Sequence, residues 1–215
     1  SLFYSRDDGG GKRTILRRSL ESGTETELFS APRSNLPVAV SPDGTNLLFA
    51  LQEETGGAWD IWRLPLAGGG EPVRFAAAPT FHEARASFAP DGRWVAFQSN
   101  ESGRSEIYVQ AFPSPGRKWQ ISTDGGIEPI WSHDGRELLY VGNDRRLARV
   151  EVKIGAAFDA GIPEPLFPMP LAPQVTRNRW LLAPDGQRLL LLAPAGEGQT
   201  TPTTVVLGWD AALGK

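Results

Sequence analysis

Cysteine is absent from this 215-residue chain. Disulfides and thiolate metal sites are therefore excluded, and the redox compartment stays open. Histidine is almost absent: only His82 and His133 are present. Two imidazoles with no suitably spaced cysteine or carboxylate make a poor zinc site. A Ser-His-Asp triad would have to use one of them, and neither has a supporting local sequence. Gly-x-Ser-x-Gly is missing, so there is no nucleophile elbow. No stretch approaches the ~20 apolar residues of a membrane helix. The net charge of −3 gives no basic surface that would argue for nucleic acid. No secretory leader is evident and residue 1 is Ser, not an initiator Met, so the expectation is a segment of a longer polypeptide. No cofactor and no metal are expected.

Apolar residues make up 40 % of the chain, enough for a core, and Gly (24) and Pro (18) are both abundant. Their use is patterned. Ser132-His133-Asp134-Gly135 precedes the apolar run Leu138-Leu139-Tyr140-Val141. The same phrase occurs as Ser41-Pro42-Asp43-Gly44 before Leu47-Leu48-Phe49, and as Ala89-Pro90-Asp91-Gly92 before Trp94-Val95-Ala96-Phe97. It returns as Ala183-Pro184-Asp185-Gly186 before Leu189-Leu190-Leu191. The aspartates are spaced by 48, 43 and 51 residues. Repetition at this period, with turn residues and no helical pattern, predicts an all-β propeller with one four-stranded antiparallel blade per repeat.

Within a repeat, Pro-Asp-Gly joins an inner strand to a second strand: Pro presets φ, Asp bonds nearby N–H groups and Gly accepts positive φ. A third strand alternates with period two, as in Asp60–Leu64, Glu106–Val109, Arg146–Val150 and Thr204–Leu207. A shorter outer strand follows at Pro72–Phe75, Trp119–Ile121 and Pro165–Phe167. Leu2-Phe3-Tyr4 reads as a second strand, so the first blade lacks its inner strand; the last lacks its outer one. The expected blades are 1–31 (partial), 35–77, 82–123, 126–169 and 176–211 (partial), with 18 strands. A six-bladed ring needs about 24. The expectation is four to five blades of an incomplete ring, continued N-terminally by roughly one and a half blades. Unlatched blades leave strand edges open, so self-association or marginal stability is also expected.

These repeats resemble the TolB-like, Pro-Asp-Gly-type β-propellers. Asp91 to Gly103 with Glu106-Ile107-Tyr108-Val109, Lys118-Trp119-Gln120-Ile121-Ser122 and Thr204-Val205-Val206-Leu207-Gly208-Trp209 are similar to the propellers attached to bacterial transmembrane Ser/Thr kinases. The resemblance implies an extracytoplasmic sensor or interaction module, tethered through an upstream segment, with no catalytic residues of its own. Similar repeats also gate prolyl-oligopeptidase-type peptidases, where an α/β-hydrolase does the chemistry, and a TolB-like periplasmic scaffold is a third reading. His133 departs from the usual Pro, and 154–176 is irregular.

Site candidates follow from the repeat. Asp43, Asp91, Asp134 and Asp185 read as turn caps, because calcium needs six or more converging oxygens and each turn offers one carboxylate. Gly9-Gly10-Gly11-Lys12-Arg13 lacks the spacing and helix of a phosphate loop and reads as a hairpin turn. Trp62, Trp131 and Trp180 should lie between blades, with Trp59 more exposed. Four residues before each turn stand Pro37, Arg85, Glu128 and Arg179. Inner strands flank the central channel, so this column should ring one mouth. Arg85, Glu128 and Arg179 alternate in sign on successive blades. That is either a structural ion-pair belt or a site for an anionic ligand or peptide carboxylate, extended by His82, Glu83, Arg177 and Asn178. The expected partner is a protein, peptide or small anion, with no direct membrane contact by this segment.

Overall fold

The computed structural model describes residues 1–52, 57–77, 80–155, 157–173 and 178–194, with the backbone of 203–207. Five antiparallel sheets follow one another along the chain. The first contains β1 (Leu2–Asp7), β2 (Arg13–Arg18) and β3 (Glu25–Ala31). The second contains β4 (Asn35–Val40), β5 (Asn46–Gln52), β6 (Trp59–Pro65) and β7 (Val73–Ala76). The third contains β8 (Glu83–Phe88), β9 (Trp94–Ser99), β10 (Glu106–Ala111) and β11 (Lys118–Gln120). The fourth contains β12 (Gly126–Trp131), β13 (Glu137–Gly142), β14 (Arg146–Ile154), β15 (Phe158–Ala160) and β16 (Glu164–Pro168). The fifth contains β17 (Trp180–Leu182), β18 (Arg188–Leu192) and β19 (Thr203–Leu207). No helix occurs among the described residues, so none there is long and apolar enough to cross a membrane.

The turn chemistry is the same in all four copies. The Gly N–H donates to the carbonyl three residues back: Gly44 to Ser41, Gly92 to Ala89, Gly135 to Ser132 and Gly186 to Ala183, at 2.8–3.0 Å. Each Gly has φ between +68° and +72°, where a Cβ would be strained. Each Asp Oδ1 accepts the N–H two residues on, from Thr45, Arg93, Arg136 and Gln187, at 2.9–3.0 Å. The aspartates are therefore occupied as turn caps. Donation from Ser41 Oγ and then the Thr45 N–H holds the Asp43 carboxyl below its ordinary pKa, and the Arg136 and Gln187 N–H groups do the same for Asp134 and Asp185. Successive turns touch. A Cβ on Gly92 would lie 3.5 Å from Pro42 Cδ, and one on Gly135 would lie 3.5 Å from Pro90 Cδ. His133 Nε2 sits 3.0 Å from the Ala183 carbonyl oxygen.

Side-chain alternation then stacks the sheets. Three and five residues past the Gly, Val95 and Phe97 pack on Leu48 and Ile61 of the sheet before. Leu138 and Tyr140 likewise pack on Ala96, Ile107 and Val109, and Leu189 and Leu191 on Leu139, Val141 and Leu147. The residue four past the Gly faces the sheet after. Leu48, Ala96 and Leu139 are fully buried there, whereas Leu190 is 41 % exposed. With Leu181 and Leu192 it forms an apolar face that no described residue covers. Each interface buries several large apolar side chains, at about 1.5–3 kcal/mol each.

Two details differ from the sequence-based expectation. The irregular stretch yields an additional strand, β15, because β14 is nine residues long and pairs with β16 at one end and β15 at the other. This strand brings Phe158 against Trp94, Trp119 and Trp131, with ring centroids 5.3–6.3 Å apart. Trp131 and Trp180 are buried between sheets as expected, but Trp62 is only half-buried and carries Arg74 over its ring at 5.2 Å. The Gly-rich stretch at 9–11 is the β1–β2 hairpin loop, with Asp8 Oδ1 accepting the N–H of Gly10 and Lys12.

Candidate functional site

Two inner strands, β8 and β12, carry the site because each breaks its ladder at the same place. In β8, Ala84 pairs with Gln98 and Ser87 with Ala96, so Arg85 and Ala86 together oppose Phe97. In β12, Ile127 pairs with Val141 and Ile130 with Leu139, so Glu128 and Pro129 oppose Tyr140. These are two-on-one β-bulges, which bend a strand and re-aim a side chain. The bulged residues sit in the left-handed region, Arg85 at φ +55° and Glu128 at φ +56°. Non-glycine residues pay a steric cost there. Proline cannot adopt positive φ, so Pro37 at the matching position of β4 pairs normally with Phe49 and the break moves one residue on.

The two bulges aim their side chains at each other. Arg85 Nη1 donates to Glu128 Oε1 at 3.2 Å. Arg179 Nε donates to the same oxygen at 2.8 Å, and its backbone N–H donates to Oε2 at 3.0 Å. One carboxylate thus joins three consecutive sheets. The Glu128 side chain is fully buried, while those of Arg85 and Arg179 are 19 % and 11 % exposed. Burial, followed by the Arg179 charge, draws the Arg85 guanidinium below its ordinary pKa, and Glu128 opposes that shift. The order of pairing expected from the spacing is present, but not the exposure. The junction is buried, so Glu128 is a structural pivot and not an open rim acid.

Glu83 is also displaced from the expected rim. As the first residue of β8 it is 1 % exposed, with Oε1 accepting from Ser99 Oγ at 3.2 Å and Oε2 lacking a hydrogen-bond partner among the described residues. Burial, with Asp60 and Glu101 adding negative charge, pushes its carboxyl up to about 7. The folded value lies above the ordinary 4.5, so between about pH 4.5 and 7 the unfolded chain ionises while the folded chain resists. Stability therefore falls as pH rises through that window and stays lowered above it. Glu83→Gln is expected to flatten this slope and raise stability at pH 8 by on the order of 2 kcal/mol, read from thermal melts at pH 5 and pH 8. An unchanged slope would place the cost elsewhere.

His82 is exposed. Its N–H donates to Asn100 Oδ1 at 2.7 Å and its Nδ1 accepts from the Trp59 N–H at 3.4 Å. Asn178 is exposed, and Arg177 lies outside the described residues. No cluster of three metal-ligating side chains occurs among the described residues.

At the end of the sheets opposite the Pro-Asp-Gly turns, a cleft of about 680 Å³ opens beside the junction. Arg179 is on its wall, with Arg104 and Arg145 and the apolar Ile127, Val141 and Leu171; no Asp or Glu lines it among the described residues. Arg145 adopts φ +62° in the β13–β14 hairpin and donates through Nη2 to the Leu171 carbonyl at 3.0 Å. The repeat-based column missed Arg104 and Arg145, since both lie in hairpin connections outside the inner strands. The available hint was Gly142-Asn143-Asp144, a turn sequence that presents whatever follows it.

Radially ordered four-stranded sheets whose inner strands meet at a shared side-chain junction define a β-propeller. The TolB beta propeller domain model matches residues 8–159, and the chain belongs to that family. Among solved structures, TolB from Acinetobacter baumannii is 19 % identical with a TM-score of 0.70, covering 96 % of this chain and 49 % of its own. The chain thus spans about half the length of that relative. An oligogalacturonate lyase in complex with manganese is 14 % identical (TM-score 0.63), covering 92 % of this chain and 54 % of its own. A puromycin-hydrolyzing peptidase of Mycobacterium tuberculosis is 16 % identical (TM-score 0.53), covering 92 % and 36 %. At these identities the likeness is one of fold.

Proposed function

We propose that this chain is a non-catalytic binding module whose recognition surface is the end of the array bearing the Glu128 junction and the arginine-lined cleft. The observation that carries this reading is the pair of left-handed bulges at Arg85 and Glu128. Backbone strain of this kind persists where the surroundings over-determine it, and it clusters at recognition sites. Here it builds a rigid floor beneath a concave surface with guanidinium groups on its wall. The partner class is a protein, a peptide or a small anion.

The wider setting we infer is the extracytoplasmic sensor region of a bacterial Ser/Thr kinase, tethered through an upstream segment. Its support is the sequence resemblance of Asp91–Gly103 and Lys118–Ser122. A gating propeller of a peptidase is the second reading, favoured by the likeness to the puromycin-hydrolyzing peptidase. The gene sequence upstream of the Ser1 codon separates them. A kinase followed by an apolar span supports the sensor, a secretory leader alone supports a periplasmic scaffold, and an adjoining hydrolase supports the peptidase.

The binding reading is tested by a thermal-shift screen with peptides and small anions, followed by hydrogen exchange on the hits. Protection at 82–85, 126–128, 142–145 and 179 is expected. Hits that protect only the Pro-Asp-Gly end, or no hits at all, would overturn it.

A further inference from the structure

The cleft beside the junction holds a more specific arrangement than its charge alone conveys. Arg145 Nη2 donates to the Leu171 carbonyl at 3.0 Å, and Arg179 Nη1 donates to the Ala172 carbonyl at 3.1 Å. Consecutive carbonyls of one segment therefore each hold a guanidinium from a different sheet, and both arginines line the cleft. Arg179 is fixed further by Glu128 behind it. Arg145 has no carboxylate partner among the described residues. The third arginine on the wall, Arg104, is already engaged by Glu106 at 2.8 Å and Asp124 at 3.0 Å. Asp144, next to Arg145, is turned to its own hairpin, accepting the Arg146 N–H at 3.0 Å. A pair of cations held in place by backbone, with no acidic side chain on the cleft wall among the described residues, is preorganised for a carboxylate.

The rest of the wall narrows the ligand. Ile127, Val141, Leu171 and Pro194 give the cleft an apolar side directly beside the two guanidiniums. A bare inorganic anion would leave that surface wet. A carboxylate attached to an apolar side chain would satisfy both parts, and a volume of about 680 Å³ accommodates a few residues of chain. We propose that this cleft receives the free C-terminal carboxylate of a peptide whose last residue is apolar, the carboxylate lying between Arg145 and Arg179. This deepens the binding-module reading and rests on it.

The test uses the whole chain and isothermal titration with a short peptide ending in Ala-Leu. Three ligands are compared: the free acid, its C-terminal amide, and isovalerate as a small carboxylate with a similar apolar end. The acid is expected to bind about tenfold or more tightly than the amide, as loss of a charge-assisted contact implies. Isovalerate is expected to bind more weakly than the acid. Arg145→Asn should remove the preference for acid over amide; Asn tolerates the left-handed hairpin position, so the fold should persist. Arg136→Asn, at an exposed side chain in the opposite-end turn, should change nothing. Equal binding of acid and amide, or an acid preference that survives Arg145→Asn, would overturn the proposal. Isovalerate matching the peptide would overturn the peptide source. Screen hits protecting the junction end while the acid peptide does not bind would sink this inference and leave the binding module standing.

Discussion

Glu128→Gln is expected to destabilise the chain by about 3–5 kcal/mol, a fall in Tm of roughly 10 °C for a domain of this size. The wild-type carboxylate is fully buried and accepts from Arg85 Nη1, Arg179 Nε and the Arg179 backbone N–H. Removing its charge leaves two mostly buried guanidiniums without that counter-charge, and desolvated ions are costly when unpaired. The geometry is nearly isosteric, so the loss would report electrostatics and not packing. It should also persist at high salt, because buried pairs are poorly screened. An exposed ion-pair belt would give at most ~1 kcal/mol per pair, and salt would erase it. A loss below that level would show that water reaches the junction.

The second large effect is a contrast between two residues at one place in the repeated phrase. Leu139 and Leu190 both stand four residues past the turn glycine. Leu139 is fully buried against the fifth sheet, beside Trp180 and Leu191, and Leu139→Ala is expected to cost 2–5 kcal/mol. Leu190 is 41 % exposed, and Leu190→Ala is expected to cost under about 1 kcal/mol. The same deletion therefore reads out which face of each sheet has a neighbour. Chemical denaturation of both variants decides it, and equal losses would mean that the sheets are not stacked in chain order.

Most of the fold is legible in the sequence because the turn phrase fixes register. Once Asp and Gly place the hairpin, period-two alternation assigns every core position, from Leu48 and Phe49 to Leu189 and Leu191. What is not legible depends on longer-range geometry. The extra strand β15 arises because β14 overshoots its neighbours, and its own three residues, Phe158-Asp159-Ala160, are too few for their alternation to announce a strand. The arginine–glutamate column is visible from spacing alone, since sign alternates on adjacent blades. Its burial is not, because the left-handed bulges at Arg85 and Glu128 turn the side chains inward, and no propensity predicts positive φ for Arg or Glu. Glu83 illustrates the same limit. A charged residue on an inner strand reads as rim, yet it packs against Ser99 and near Asp60.

The central claim, that the sheets fan about an axis in chain order, is tested most directly at the turns. These 215 residues contain no cysteine, so introduced pairs report without background. Pro42→Cys with Pro90→Cys, and Pro90→Cys with His133→Cys, place thiols on touching turns. Both pairs should be joined efficiently by a short bis-maleimide in the folded chain, and Pro42→Cys with His133→Cys, which skips a sheet, should be joined far less. Joining of the skipped pair in preference to the neighbours would contradict the radial order, and with it the three-sheet junction at Glu128.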